Sequence, residues 1–313
     1  YLRSDLNPLH SSSDLGPLIY SIMSERRSYC MRVRRDIFYS ANCYIKLGII
    51  IYTNMTSPLR YPGGKTRACK KLDYILSENF DVASINRVVS PFLGGGSFEL
   101  FINKKYRKPI IANDKFTPLF NFWNQVKMDS DCVISKISEN RQISKEKFRE
   151  FRNKIMDCQD PIEQAMLYFV INRCSFSGAT LSGGFSETAS VQRFTDSSVE
   201  RLRNLNLYEI EFHNEDFKKF IRDVVKSNDL IFLDPPYYLE KGNKLYGNNG
   251  DMHEAFDHAG LREVLGGVSN WMMTYNDCAY IRELYADYTI LDIDWAYGMN
   301  STKKSSEIVI IQK

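Results

Sequence analysis

The sequence predicts an α/β protein, a doubly wound sheet interrupted by an inserted, mainly helical segment. Three observations carry that reading. Short apolar, β-branched runs alternate with helical stretches in both the first and last thirds of the chain, the pattern of parallel strands joined by crossover helices. Several of these runs stop at glycine- or proline-rich turns, and ligands of open α/β sheets bind beyond such strand ends. Residues 116–205 have another texture, with apolar positions recurring at three and four and a Gly/Ser-rich stretch over 175–184.

Taken in order, Gly63-Gly64 lead into a helix over roughly 66–76. Arg87–Ser90 reads as a short strand, Gly94-Gly95-Gly96 as the turn after it, and 97–103 as a helix. A second strand is expected over 109–113. In the insertion the clearest helix is 161–170. After it, Asp229–Leu233 is a buried strand stopped by Pro235-Pro236, His258–Leu265 a helix and 271–275 another strand. Residues 288–292 and 307–312 read as a closing antiparallel pair. The boundaries that follow are 55–115, 116–205 and 206–313. Residues 1–54 are rich in Ser, Arg and Tyr without a clear period. The functional chain is expected to begin near Met55, with a basic N-terminal arm as the alternative.

With 313 residues, 43% of them apolar, the chain can bury a sizeable core. The net charge of +3 is concentrated in 1–54, which carry seven basic and four acidic residues; the remainder balances. Any nucleic-acid surface must therefore be a local basic patch. The seven cysteines are scattered and form no CxxC pair, which argues against a disulfide framework and a structural zinc site. No metal is expected. A reducing compartment fits: cytoplasm, nucleoid or nucleus. No apolar run approaches the ~20 residues of a membrane span, and 47–52 is too short and too far in to be a secretion signal.

Five turns carry chemistry. Asp234-Pro235-Pro236-Tyr237 follows a buried strand. Paired prolines stiffen the backbone and leave carbonyls free to accept, so the tetrapeptide offers a carboxylate, a carbonyl and an aromatic face, enough to hold a planar base by its amino group. A proline turn with a solvated Asp is the plainer alternative. Pro91-Phe92-Leu93-Gly94-Gly95-Gly96 can bring backbone close to a ligand at a helix N-terminus or be only a tight turn. It lacks the Lys-Ser/Thr of a phosphate-gripping loop. Asp114, about 20 residues on, suits ribose hydroxyls and equally an N-cap. Tyr61-Pro62-Gly63-Gly64-Lys65 and Glu215-Asp216-Phe217 are weaker: a turn with a lysine, and an acidic helix start.

In order and spacing together, these segments, with Phe256-Asp257-His258 and 271–277, resemble the Dam-like family of adenine-specific DNA methyltransferases over nearly all of 55–313. That resemblance implies a Rossmann-like methyltransferase sheet, S-adenosyl-L-methionine as cofactor and double-stranded DNA as partner; a monomer is expected, and the sequence does not identify a partner nuclease. It implies cofactor contacts from Tyr61, Lys65, Pro91, Phe92, Gly94, Gly96, Asp114, Asp216, Phe217 and Asp234. Asp234, Pro235 and Tyr237 would hold the target adenine. The insertion would read DNA through Asn172, Arg173, Ser177 and Arg193, and a flap over 240–251 would add Lys244. Ser90 departs from the pattern: family members often carry an acidic residue there, facing the cofactor's ammonium. Rival readings are methyl transfer to DNA cytosine or RNA adenine, a catalytically silent DNA-binding relative, and a nicotinamide dehydrogenase.

Overall fold

The computed structural model of the chain describes residues 56–238, 256–296 and 304–313, without the side chains of 294–296 and 304–306. The N-terminal segment 1–54, the start at Met55 and the flap with Lys244 lie outside the described residues. From Asn54 onward the chain forms one compact unit.

Seven strands form one sheet: β1 (Arg87–Ser90), β2 (Ile110–Asn113), β3 (Ile210–His213), β4 (Asp229–Leu233), β5 (Trp271–Asn276), β6 (Thr289–Ala296) and β7 (Lys304–Gln312). Their order is β3-β2-β1-β4-β5-β7-β6. The first five are mutually parallel, and β7 runs antiparallel between β5 and β6. The winding reverses between β1 and β4, where Val89 pairs with Ile231, so a crevice opens beyond Ser90 and Leu233. At the opposite end a bidentate pair, Arg87 Nε and Nη2 to the Asp229 carboxylate at 2.9 Å each, locks the same two strands.

The expected strands and the closing antiparallel pair are found, with ends shifted by a few residues. Strand β3 escapes sequence reading because its four residues, Ile-Glu-Phe-His, are half exposed at the sheet edge. The first helix differs too. Lys65–Arg67 form a 3₁₀ turn, and α1 proper spans Cys69–Asn79. Neither Gly64 nor Ala68 supplies a capping side chain, and Lys65 turns back toward Gly63. Helix α2 (Ser97–Tyr106) follows the glycine turn.

Helices fill the insertion: α3 (Thr117–Ser138, broken at Asp129), α4 (Lys145–Lys154), α5 (Pro161–Cys174), α6 (Glu187–Gln192) and α7 (Asp196–Arg203). Asp160 caps α5 by accepting from the Ile162 and Glu163 amides, and Pro161 starts it. From Gln164 to Cys174 every residue of α5 is buried, as expected for a helix packed on all sides. Its Phe169 shares one continuous core with Phe122 of α3 and with Val88 and Ile110 of the sheet. The insertion thus rests directly on the sheet. The fold closes with α8 (Phe217–Val224), α9 (His258–Leu265) and α10 (Ala279–Leu284). Among the described residues no helix is long and apolar enough to cross a membrane.

Candidate active site

The crevice at the strand reversal is a cavity of about 1000 Å³. Every turn singled out in the sequence contributes to its walls, from Tyr61–Lys65 through the glycine turn and Asp114 to Asp216-Phe217 and Asp234–Tyr237. Asn113 gathers the strand ends. Its Nδ2 donates to the carbonyls of Pro91 and Glu215, both at 3.1 Å, and its Oδ1 accepts from the Glu215 amide at 2.8 Å.

The glycine turn needs its glycines. Gly94 and Gly96 have φ of +49° and +61°, the left-handed region that costs a side chain most. Tyr61 lies across them: a Cβ would come within 2.9 Å of its ring at Gly94 and 2.8 Å of its Cβ at Gly95. Trp123 of α3 supports the turn from the insertion, donating from Nε1 to the Gly94 carbonyl at 3.1 Å. Asp114 holds the other side, accepting from the Gly94 amide at 2.9 Å and the Phe116 amide at 3.0 Å. Burial pushes the Asp114 carboxyl up to about 6 despite those two bonds.

At the end of β4, Asp234 Oδ1 meets the buried Lys65 ammonium at 2.8 Å and accepts from the Thr274 hydroxyl at 2.6 Å. The lysine also donates to the Gly63 carbonyl at 2.8 Å and stands 5.1 Å from the centroid of the Tyr237 ring. That ring stacks on Tyr275 of β5 at 5.7 Å. Lysine, carboxylate and aromatic face, nearly 170 residues apart in sequence, thus form one cluster. Thr274, inside the 271–277 segment but with no role assigned to it by sequence reading, completes it.

A second cluster is apolar. Phe92, Phe217 and Phe256 pack at centroid distances of 5.3–5.5 Å and all line the cavity. Asp216 beside them caps α8 through the Lys218 amide and pairs with Lys115 at 3.2 Å.

Glu99 is the residue that sequence reading passed over. In the first turn of α2 it resembles an ordinary N-terminal acid, yet it is 3% exposed and lines the cavity. Its Oε1 accepts from the Ser90 hydroxyl at 2.7 Å. Burial raises its carboxyl to about 7; Ser90 and Lys65 pull it down, and Asp234 pushes it up. A carboxyl raised on folding stabilises the fold when protonated. Its contribution is complete below the ordinary carboxylate range and is lost as pH rises through about 7. Lys65, Asp234 and Cys69 are the charged or titratable groups it faces. The ligand-free protein should therefore lose thermal stability relative to Glu99→Gln as pH is raised from 4.5 to 8. Parallel melting curves for the two proteins would contradict that expectation.

The residues expected to contact DNA are placed unequally, some buried and some exposed. Asn172 and Arg173 must be corrected: both sit inside the last turn of α5 and face inward. Asn172 is fully buried; its Oδ1 accepts from the Arg60 amide at 2.9 Å and its Nδ2 donates to the Arg60 carbonyl at 2.7 Å. Further bonds reach the Gly178 carbonyl and the Thr180 hydroxyl. The guanidinium of Arg173 donates to the carbonyls of Pro58 and Arg193, and burial with the nearby charges of Arg60, Arg201 and Arg193 lowers its affinity for a proton to about 10. Hydrogen-bonding capacity spent on backbone is not available for base edges. Arg193, Arg201 and Ser177 are exposed. Beside Ser177, Phe176 is 69% exposed. Among the described residues, no group of three or more His, Cys, Asp or Glu side chains could hold a metal ion.

Comparison with known proteins identifies the family. The model of a family described as D12 class N6 adenine-specific DNA methyltransferase matches residues 61–299. A type II methyltransferase of Methanocaldococcus jannaschii is 24% identical over 200 residues, 57% of this chain and 68% of that protein. The modification methylase StsI of Streptococcus sanguinis is 25% identical over 287 residues, 82% of this chain and 42% of that protein. A DNA adenine methylase of Salmonella typhi is 26% identical over 165 residues, 48% of this chain and 55% of that protein.

Proposed function

We propose that this chain, which belongs to the D12 class N6 adenine-specific DNA methyltransferase family, moves a methyl group from S-adenosyl-L-methionine to the exocyclic N6 of an adenine flipped out of double-stranded DNA. The observation that carries the reading is the Lys65–Asp234–Tyr237 cluster, which shares one cavity with the glycine turn and the three phenylalanines. Two of the relatives carry type II methyltransferase or modification methylase in their names; the same setting, restriction–modification, is proposed here.

The residues present fit that cofactor. Phe92, Phe217 and Phe256 offer an apolar slot for its adenine. Asp114 and Asp216 carry oxygens suited to its hydroxyl and amino groups, and the turn at Gly94–Gly96 lets backbone approach its methionine part. When bound, S-adenosyl-L-methionine supplies an electrophilic methyl group on sulfur. Everything else falls to the chain. Unpairing the target base costs a few kcal/mol, of which stacking on Tyr237 returns about 1–3 kcal/mol. Asp234 and the Pro235 carbonyl accept the two amino hydrogens, drawing the nitrogen lone pair out of the ring. Lys65 and Thr274 hold that carboxylate in place, so little reorganisation remains for the reaction itself.

For the duplex, Arg193 and Arg201, backed by Arg60 and Arg173, form the local basic patch that the balanced charge of residues 55–313 requires. Exposed Phe176 and Ser177 at the neighbouring turn would meet the duplex beside the flipped base.

Incubating the protein with labelled cofactor and either DNA or RNA, then identifying the modified nucleoside, tests the proposal. N6-methyladenine from DNA is expected; label in cytosine, or in RNA alone, would overturn it. The cofactor half has its own test. Phe217→Ala should weaken S-adenosylhomocysteine binding roughly tenfold or more, from the ~1–3 kcal/mol that stacking on a base contributes. Unchanged calorimetric affinity would move the cofactor's adenine elsewhere.

A further inference from the structure

We infer that Glu99 supplies the carboxylate that receives the ammonium of the cofactor's methionine part, the role that the family resemblance would give to an acidic residue at the position of Ser90. The inference rests on the cofactor reading above and identifies a residue that neither motif spacing nor family resemblance selects.

The first argument is position. Ser90 is the last residue of β1, where the sheet's winding reverses. Its Oγ stands about where an aspartate at 90 would carry its carboxyl carbon, since both atoms are bonded directly to Cβ. Glu99 Oε1 lies 2.7 Å from that Oγ. The negative charge missing from the strand end is thus delivered to nearly the same place from the first turn of α2, and the serine hydroxyl fixes it there.

The second argument is the local charge balance. A carboxylate almost wholly removed from water is costly unless a cation or several donors face it. Among the described residues Glu99 has no ion-pair partner. The nearby cation, Lys65, is committed to Asp234 at 2.8 Å and to the Gly63 carbonyl. Burial raises the Glu99 carboxyl to about 7, and the Ser90 hydroxyl and the nearby Lys65 charge offset that only in part. Yet Glu99 is on the cavity wall, with Gly94–Gly96 and Ser97 beside it. A buried acid open to a cavity and lacking a cation of its own is matched by a ligand that carries one. The ammonium of an amino acid moiety meets that requirement; the adenine and ribose ends do not.

Isothermal titration of the purified full-length chain tests this with two ligands, S-adenosylhomocysteine and 5′-methylthioadenosine, which lacks the amino acid part. Glu99→Gln keeps the shape and an acceptor for Ser90 but removes the charge. It should weaken S-adenosylhomocysteine at least tenfold and leave 5′-methylthioadenosine within about twofold. Adding Ser90→Asp to Glu99→Gln should recover most of the lost affinity, by returning the charge to the strand end. Unchanged affinity for S-adenosylhomocysteine in Glu99→Gln would overturn the inference, as would equal losses for both ligands, which would make Glu99 a structural prop. A double variant that keeps its affinity for 5′-methylthioadenosine and recovers nothing for S-adenosylhomocysteine would overturn it as well. If the unsubstituted protein bound neither ligand, the cofactor reading itself would fail, a result distinct from these.

Discussion

Replacing Asp234 with Ala should lower methyl transfer to DNA by roughly 10²–10³-fold or more, the usual cost of deleting one preorganised polar group at a reacting centre. Binding of S-adenosylhomocysteine should largely survive. The reason is division of labour within the cavity. Asp234 sits at the tip of β4 beside Tyr237, where the target amine would be held, whereas the phenylalanine slot, Asp114 and the glycine turn would face the cofactor. Removing the carboxylate also strands the buried Lys65 ammonium, which loses a partner 2.8 Å away. Asp234→Asn therefore makes the sharper test, since it keeps volume and an acceptor for Thr274 while removing the charge. Both variants should turn over slowly, with Asn closer to the parent in thermal stability. Initial rates with labelled cofactor, paired with calorimetry, separate chemistry from binding. Undiminished turnover in either variant would contradict the assignment of the cluster.

Asn172→Ala should cost stability and leave the DNA sequence preference unchanged. The side chain ties the last turn of α5 to the backbone of Arg60 and to the turn at Gly178, with no surface exposed. Deletion leaves the Arg60 amide and carbonyl short of a partner, while the Gly178 carbonyl keeps the Thr180 hydroxyl. At about 1–3 kcal/mol for each buried orphan, a loss on the order of 3 kcal/mol or more is expected. For a chain of this size that is a fall of roughly 6–12 °C in the melting midpoint. The segment released begins at Arg60 and leads directly into Tyr61 and Lys65, so cofactor affinity should fall with stability. Close packing adds to the effect, because a Cβ at Gly178 would already lie 2.4 Å from the Arg60 carbonyl oxygen. A base-reading residue would behave in the opposite way, with relaxed site preference at constant stability. Scanning cleavage protection across variant sites, alongside melting curves, distinguishes the two.

Much of this site was legible because the chemistry lies in turns. Asp234-Pro235-Pro236-Tyr237 and the glycine turn depend on local backbone rules, and such rules are written in consecutive residues. Asn172 and Arg173 were legible only as part of a segment resembling the family's DNA-contacting hairpin, whereas α5 continues through Cys174 and turns both side chains inward. Only the depth at which that helix is buried against α3 and the sheet decides this, and burial depends on segments far away in the chain.

By itself the sequence determined the alternation of strands and helices, the turns at their ends and the order in which those turns occur, because each depends on residues within a few positions of one another. The tertiary structure decided which charges meet. Lys65 reaches Asp234, the Ser90 hydroxyl donates to Glu99, and Asn172 serves the backbone of Arg60. Pairings of this kind are set by how strands order in the sheet and how helices pack on it, and electrostatic energy depends on distance in space, whatever the separation along the chain.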